Sequence, residues 1–209
     1  MAEPQSEYPV QLHIDYPDRP RDRLSTVFRL ILFIPIAFIL FLVSGSIPFE
    51  VGGESIAIGS GGVLIFPLVL MILFRKKYPR WWFDWNVELL RFSTRTGAYV
   101  TLLRDEYPST DEAQAVRLDV TYPDAQSELN QFLPLVKWLL ALPHYIVLLF
   151  LILGELIVVI ISWFVILFTG RYPKPLFNYV VGVTRWSLRV GAYMGLLVTD
   201  RYPPFRLSP

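Results

Sequence analysis

The chain has 209 residues, 54% of them hydrophobic and 18% charged, and a formal net charge of +1. That is apolar for a water-soluble domain and too nearly neutral for the electrostatic footprint of a nucleic-acid binder. With no cysteine it offers no disulfide, no thiolate metal ligand and no cysteine nucleophile.

The first 23 residues are polar and do not resemble a cleavable signal peptide. Within them, VQLHIDY at 10–16 alternates apolar and polar positions, the pattern of a half-buried strand. Tyr16-Pro17-Asp18 then reads as a turn, because proline cannot extend a central strand. His13 falls on the polar side of this strand. Residues 24–43 are apolar except for Arg29 and a few small polar side chains, and residues 56–74 carry no charge. A crossing helix needs roughly 20 apolar residues, so 24–74 predicts a transmembrane hairpin joined by the Gly-rich loop 45–61, which holds Glu50 and Glu54. Residues 81–96 place Asp84, Glu88, Arg91 and Arg95 on one helical face between Trp81, Trp82 and Trp85. This predicts an amphipathic helix at the membrane interface, with the tryptophans as headgroup-level anchors. Gly97 is expected to end it. Residues 98–105 are then read as a strand, with continuation of the helix as the alternative.

The second half starts with the same strand pattern, VRLDVTY at 116–122. The apolar run 132–169 holds only Lys137 and Glu155 as charges and is too long for one crossing, so it reads as a tight hairpin of two helices turning at Gly154-Glu155. Residues 175–190 predict a second interfacial helix with Arg185, Arg189 and the anchor Trp186. Gly191 ends it, and 192–200 is read as a strand. The competing reading of the long runs is a buried helix bundle in a soluble protein. All 19 Lys and Arg lie outside the two hairpin connections. The positive-inside rule therefore predicts a multi-pass protein of the cytoplasmic membrane with both termini and the 75–131 segment in the cytoplasm.

The halves repeat one another. Val10, Leu12 and Tyr16-Pro17-Asp18 match Val116, Leu118 and Tyr122-Pro123-Asp124. RLILFIP at 29–35 matches KWLLALP at 137–143. Tyr78-Pro79 matches Tyr172-Pro173, and Arg91, Arg95, Gly97, Ala98 and Tyr99 match Arg185, Arg189, Gly191, Ala192 and Tyr193. This divides the chain into a first repeat, 1–110, and a second, 111–209, with extra residues of the first falling in its Gly-rich loop, where insertion costs little. Repeats with an even number of crossings share one orientation about an axis along the membrane normal. The duplicated phrase, Tyr-Pro-Asp, membrane hairpin, Tyr-Pro, Arg-x-Gly-Ala-Tyr, resembles the bacterial domain of unknown function 4389 over about residues 8–205 as two copies. The resemblance implies a bacterial integral membrane protein and brings no catalytic residues. The fold class expected is a mainly α membrane protein: four transmembrane helices in two hairpins, two cytoplasmic interfacial helices and a small cytoplasmic β-sheet.

The candidate sites are few. Arg29 and Lys137 are matched cations inside the apolar runs; they either snorkel to the headgroups or bind lipid phosphate. Arg91, Arg95, Arg185 and Arg189 either pair internally or contact anionic lipid or a partner. His144 stands one turn inside its helix where the first copy has Ile36, which favours a structural role over a proton relay. Tyr8, Tyr16, Tyr78, Tyr107, Tyr122, Tyr172 and Tyr202 each precede proline and read as turn punctuation. There is no Walker A loop, dinucleotide fingerprint or Gly-x-Ser-x-Gly elbow, and two histidines without cysteine give no expected metal site or cofactor. The function expected is a non-catalytic membrane scaffold or accessory subunit. Its partners would be membrane lipids, a membrane protein or a second copy of the chain, not nucleic acid. The alternatives are a small transporter or channel component, and a lipid-modifying enzyme.

Overall fold

The computed structural model describes residues 8–17, 19–44, 46–51, 54–110 and 112–209, without side chains at 41–64 and 66. Asp18 and the side chains of Glu50 and Glu54 therefore lie outside the described part. The protein is mainly helical. In chain order the elements are β1 (Val10–Ile14), α1 (Arg23–Ser44), β2 (Ser46–Val51), β3 (Glu54–Gly59), α2 (Ser60–Arg75), α3 (Arg80–Val100) and β4 (Val116–Val120). A 3₁₀ turn at Leu133–Leu135, the one-turn α4 (Lys137–Leu140), α5 (Leu142–Thr169), α6 (Lys174–Gly191) and a π-turn at Ala192–Leu196 complete it.

The expected strands at 10–16 and 116–122 are present and pair with each other. β1 and β4 run antiparallel, with Leu12 opposite Leu118 and Val10 opposite Val120. Alternation puts Val10, Leu12, Val116 and Leu118 in the core and His13, Arg117 and Asp119 in solvent. The ribbon stops at two strands. Residues 98–105 do not extend it, because α3 runs through Gly97 as far as Val100. Likewise Gly191 is helical, and the chain widens into the π-turn after it. Glycine in a helix costs about 1 kcal/mol. Burying Ala98 and Tyr99 on the inner face of the continued helix outweighs it, since one buried aromatic contributes roughly 1.5–3 kcal/mol.

The segment 132–169 also differs from expectation. It contains no two-helix hairpin; α5 runs unbroken for 28 residues through Gly154 and Glu155. Pro143 sits at its first turn, where proline is tolerated, so nothing breaks the helix until Gly170 caps it at φ 71°. Gly154 is there for a different reason. A Cβ on it would lie 2.6 Å from the Tyr179 hydroxyl, which donates to the Leu151 carbonyl at 2.9 Å. The glycine is a notch for a tyrosine, and Glu155 is a half-buried mid-helix residue near Tyr172 and Tyr179 rather than a solvated tip.

The elements stack in layers. α3 packs on β4 and α6 on β1; α1 lies against α3 and α5, and α5 against α6. α1 is antiparallel to α3: Arg29 reaches Tyr99, and Ile36 packs with Phe92. α5 is antiparallel to α6: His144 meets Trp186, and Leu151 meets Tyr179. The main core lies between the ribbon and the α3/α6 layer, with Ile72 of α2 and Ile166 of α5 both fully buried in it. α1 and α5 form the outer layer. Both are long and apolar enough to cross a membrane, and both are mostly exposed. On α5, Ile146, Phe150, Leu153, Ile157, Phe164 and Phe168 make a stripe along the outward face, and Phe168 is 80% exposed.

Candidate functional site

The two cations predicted inside the apolar runs are held in like surroundings. Arg29 is 3% exposed and Lys137 is 1% exposed. Arg29 pairs with Asp105 at 2.5 Å, donates to the carbonyls of Tyr99 and Arg104 at 2.8 and 2.7 Å, and lies 4.3 Å from the Tyr99 ring centroid. Lys137 pairs with Asp200 at 2.8 Å, donates to the Thr199 carbonyl at 2.8 Å, and lies 5.0 Å from the Tyr193 ring. Each is thus a cation, Arg29 from α1 and Lys137 from α4, locked onto the loop behind α3 or α6. The head groups point inward, and neither is presented to lipid. Asp105 also pairs with Arg21 at 3.4 Å; burial lowers the pKa of that guanidinium and Asp105 partly restores it.

The four arginines of α3 and α6 also bind the chain itself. Arg91 donates to the Leu118 carbonyl at 3.0 Å and Arg185 to the Leu12 carbonyl at 3.3 Å, so each helix grips the strand of the opposite half. Arg185 also reaches the Leu207 carbonyl at 3.0 Å. Arg95 donates to Ser109 O at 2.8 Å, and Arg189 straps Arg206 O and Ser208 O at 3.3 and 3.0 Å. Desolvation lowers the pKa of Arg185 and Arg189, and Arg206 adds to the effect at Arg189.

The aromatic anchors divide. Trp81 and Trp85 are 70% and 56% exposed, as interface anchors must be, while Trp82 is half-buried against the core. Trp186 is not an anchor: it is buried, and its indole N–H donates to His144 Nδ1 at 3.1 Å. His144 is fully buried, stacked on Phe205 at 4.1 Å, so its role in the structure is packing. Among the described residues, no three His, Asp or Glu side chains come together as a metal set.

The comparison with known families bears on the second of these arrangements. Residues 134–206 match the model of a family described as Domain of unknown function (DUF4389). The DUF4389 match contains the whole Lys137, Tyr193 and Asp200 lock, the His144–Trp186 pair and the Tyr179 notch. It covers one of the two expected copies. No curated protein and no solved structure matches the chain.

Sequence reasoning missed the acids of both locks. Asp105 and Asp200 each stand two residues before a Tyr-Pro, and that spacing was a readable signal. It also missed a reciprocal exchange of tyrosines. Tyr16 donates to the Tyr172 carbonyl and packs edge-on against Phe177 at 5.0 Å; Tyr122 donates to the Tyr78 carbonyl and packs edge-on against Phe83 at 5.0 Å. The tyrosine of each half therefore seats in the Tyr-Pro corner of the other. Alternating patterns mark the strands but cannot show which half each one serves.

Proposed function

We propose that the chain is a membrane-bound, non-catalytic scaffold made of two copies of one module. The two-copy reading is supported by matched residues doing matched work: Arg29 and Lys137, Arg91 and Arg185, Tyr16 and Tyr122. The observation that carries the membrane reading is the outer layer. α1 and α5 expose continuous apolar side chains, whereas the cations expected to meet lipid are turned inward. An exposed apolar face of this extent marks a membrane or interaction surface, not the solvated face of a monomer. The ribbon side carries His13, Arg117 and Asp119 and faces the cytoplasm in this reading, where a partner would dock.

Layer order also supports an orientation for α5. Its start is tied to the polar layer by Trp186 and by Tyr202, which donates to the Leu140 carbonyl at 3.0 Å. Its end is tied by Arg21 N–H to the Gly170 carbonyl at 2.8 Å and by Arg23 to Phe168 O at 3.3 Å. Held at one end by α6 and the closing loop and at the other by the start of α1, α5 rests along the bilayer face in this reading. Single-cysteine variants at Ile146, Ile157 and Phe168, spin-labelled in liposomes, test this directly because the chain has no native cysteine. Equal label depths support an in-plane α5. Shallow labels at 146 and 168 with a deep one at 157 would restore a crossing helix, and water-exposed labels at all three would remove the membrane reading. For the scaffold role, His144→Ala should complement a deletion strain fully; loss of complementation by a stably folded variant would favour an enzyme.

A further inference from the structure

Where the two copies agree, the shared polar residues are spent on internal bonds. Function is better sought where the copies differ. Aligned on their Tyr-Pro-Asp turns, Arg19 and Arg21 stand where the second copy has Ala125 and Ser127. Both arginines line a cavity of about 280 Å³ together with Tyr16, Arg171 and Tyr172. Among the described residues, three arginines and no carboxylate form its wall. Arg21 is 6% exposed, and its Nε is buried without a hydrogen-bond partner. The Arg19 and Arg171 guanidinium groups are exposed and make no bond within the described residues. Arg21 is already bonded to Asp105 and the Leu103 carbonyl, whereas the unpaired Arg19 and Arg171 beside it are not explained by packing.

The location is equally specific. The cavity lies where the N-terminus of α1 meets the C-terminus of α5. The Arg21 N–H to Gly170 bond closes that junction, and Trp163 of α5 donates to the Thr26 carbonyl at 3.0 Å just beyond it. Immediately past the arginines, Leu24 is 68% and Phe168 80% exposed. Cationic side chains thus end where acyl-facing side chains begin. At about 280 Å³ the space is below the roughly 300–1,000 Å³ of a site for a drug-sized ligand, so it suits a headgroup and not a whole lipid.

We infer that this cavity binds the phosphate of an anionic phospholipid, with Arg19 and Arg171 clamping the phosphate oxygens, Arg21 beside them, and the acyl chains running along α1 past the end of α5. Guanidinium groups present a fork of donors that matches phosphate geometry, and basic residues next to a membrane helix attract anionic lipid. The inference rests on the membrane reading given above. It assigns the lipid contact to residues other than the six buried or strapped cations expected from the sequence.

The test uses the full chain reconstituted in vesicles of mixed phosphatidylglycerol and phosphatidylcholine, released into detergent and weighed with its retained lipid by native mass spectrometry. The wild type should keep phosphatidylglycerol and shed phosphatidylcholine. R19Q/R171Q should bind phosphatidylglycerol about thirtyfold more weakly, from roughly a fivefold contribution per arginine near the surface. It should melt with the wild type, since neither side chain has an internal partner. K76Q/K77Q, which removes two exposed cations elsewhere, should keep the lipid. Retention by R19Q/R171Q, or equal loss from K76Q/K77Q, overturns the pocket. Saturable binding of inorganic phosphate with no lipid retained overturns the lipid assignment in favour of a soluble phosphate. A chain that inserts into neither pure phosphatidylglycerol nor pure phosphatidylcholine vesicles overturns the membrane reading beneath the pocket, whereas insertion without lipid selectivity overturns the pocket alone.

Discussion

Replacing Asp200 by Asn keeps the shape of the side chain and removes the charge that faces Lys137. At 2.8 Å the attraction is about 6 kcal/mol for an effective dielectric of about 20. Desolvation of both groups offsets much of this. Lys137 is 1% exposed and cannot turn to water, while Asp200 is 19% exposed and is partly hydrated. The loss should therefore fall at the low end of the range for a broken buried pair, about 3 kcal/mol. Lys137→Met removes the cation at similar volume and leaves the Thr199 carbonyl and the buried Asp200 Oδ1 without their partner, costing about 2 kcal/mol. The double variant K137M/D200N leaves no uncompensated cation and should cost little more than K137M alone. Equilibrium unfolding in mixed micelles, followed by tryptophan fluorescence, measures all three. A coupling of about 2 kcal/mol or more is expected; costs that add within about 0.5 kcal/mol would refute the lock. A near-neutral D200N would return Lys137 to the lipid-facing role read from its place in an apolar run.

Other consequences are open to measurement. Gly154→Ala should destabilise by displacing the Tyr179 hydroxyl, whereas in a Tyr179→Phe background the same change should stabilise by up to about 1 kcal/mol, because the helix gains an alanine and the near contact has gone; a thermal-melting pair with the same sign in both backgrounds would count against the notch. Gly97→Ala and Gly191→Ala meet nothing within 4 Å and sit in helical backbone, so each should raise stability by up to about 1 kcal/mol in the same assay. Tyr16→Phe and Tyr122→Phe remove matched hydroxyl-to-carbonyl bonds, and each should cost roughly 0.5–1.5 kcal/mol; clearly unequal costs would contradict the two-copy reading. Burial pushes the Glu106 carboxyl up, but the Arg104 guanidinium and the Ala115 N–H pull it down further, below its ordinary 4.5. A depressed carboxylate stabilises above its unfolded pKa and loses that contribution as pH falls. The Ala115 amide should therefore lose hydrogen-exchange protection below about pH 4.5, earlier than in a neighbouring segment, and Glu106→Gln should flatten that dependence.

Much of this was legible in the residues. The strand alternation at 10–16 and 116–122 and the polar stripes at 81–96 and 175–190 name real elements, because local periodicity follows directly from which face is buried. The errors came from glycine and from length. Gly97, Gly191 and Gly154 were read as ends or turns, yet all three are helical, and the deciding contacts belong to distant residues such as Tyr179. Length divides the run 132–169 in two, whereas the structure carries one helix of 28 residues through Gly154 and Glu155. The sequence marks the candidate cations, but not the groups they bond. Asp105, Asp200 and the carbonyls of the opposite strands come near only through tertiary packing. Of the arginines that stay free, Arg19 stands where the second copy has Ala125, and Arg171 stands where the first copy has Lys77.

The crossed seating of Tyr16 and Tyr122 has a consequence for how such a chain comes together. Each half supplies the other with a strand partner, a tyrosine plug and an arginine grip, so a half in isolation would have an empty corner, an unseated tyrosine and a single unpaired strand. Cut in the 109–114 link, the pieces should behave as two subunits whose folding depends on their concentration, and the intact chain is the version in which that encounter is guaranteed by a tether.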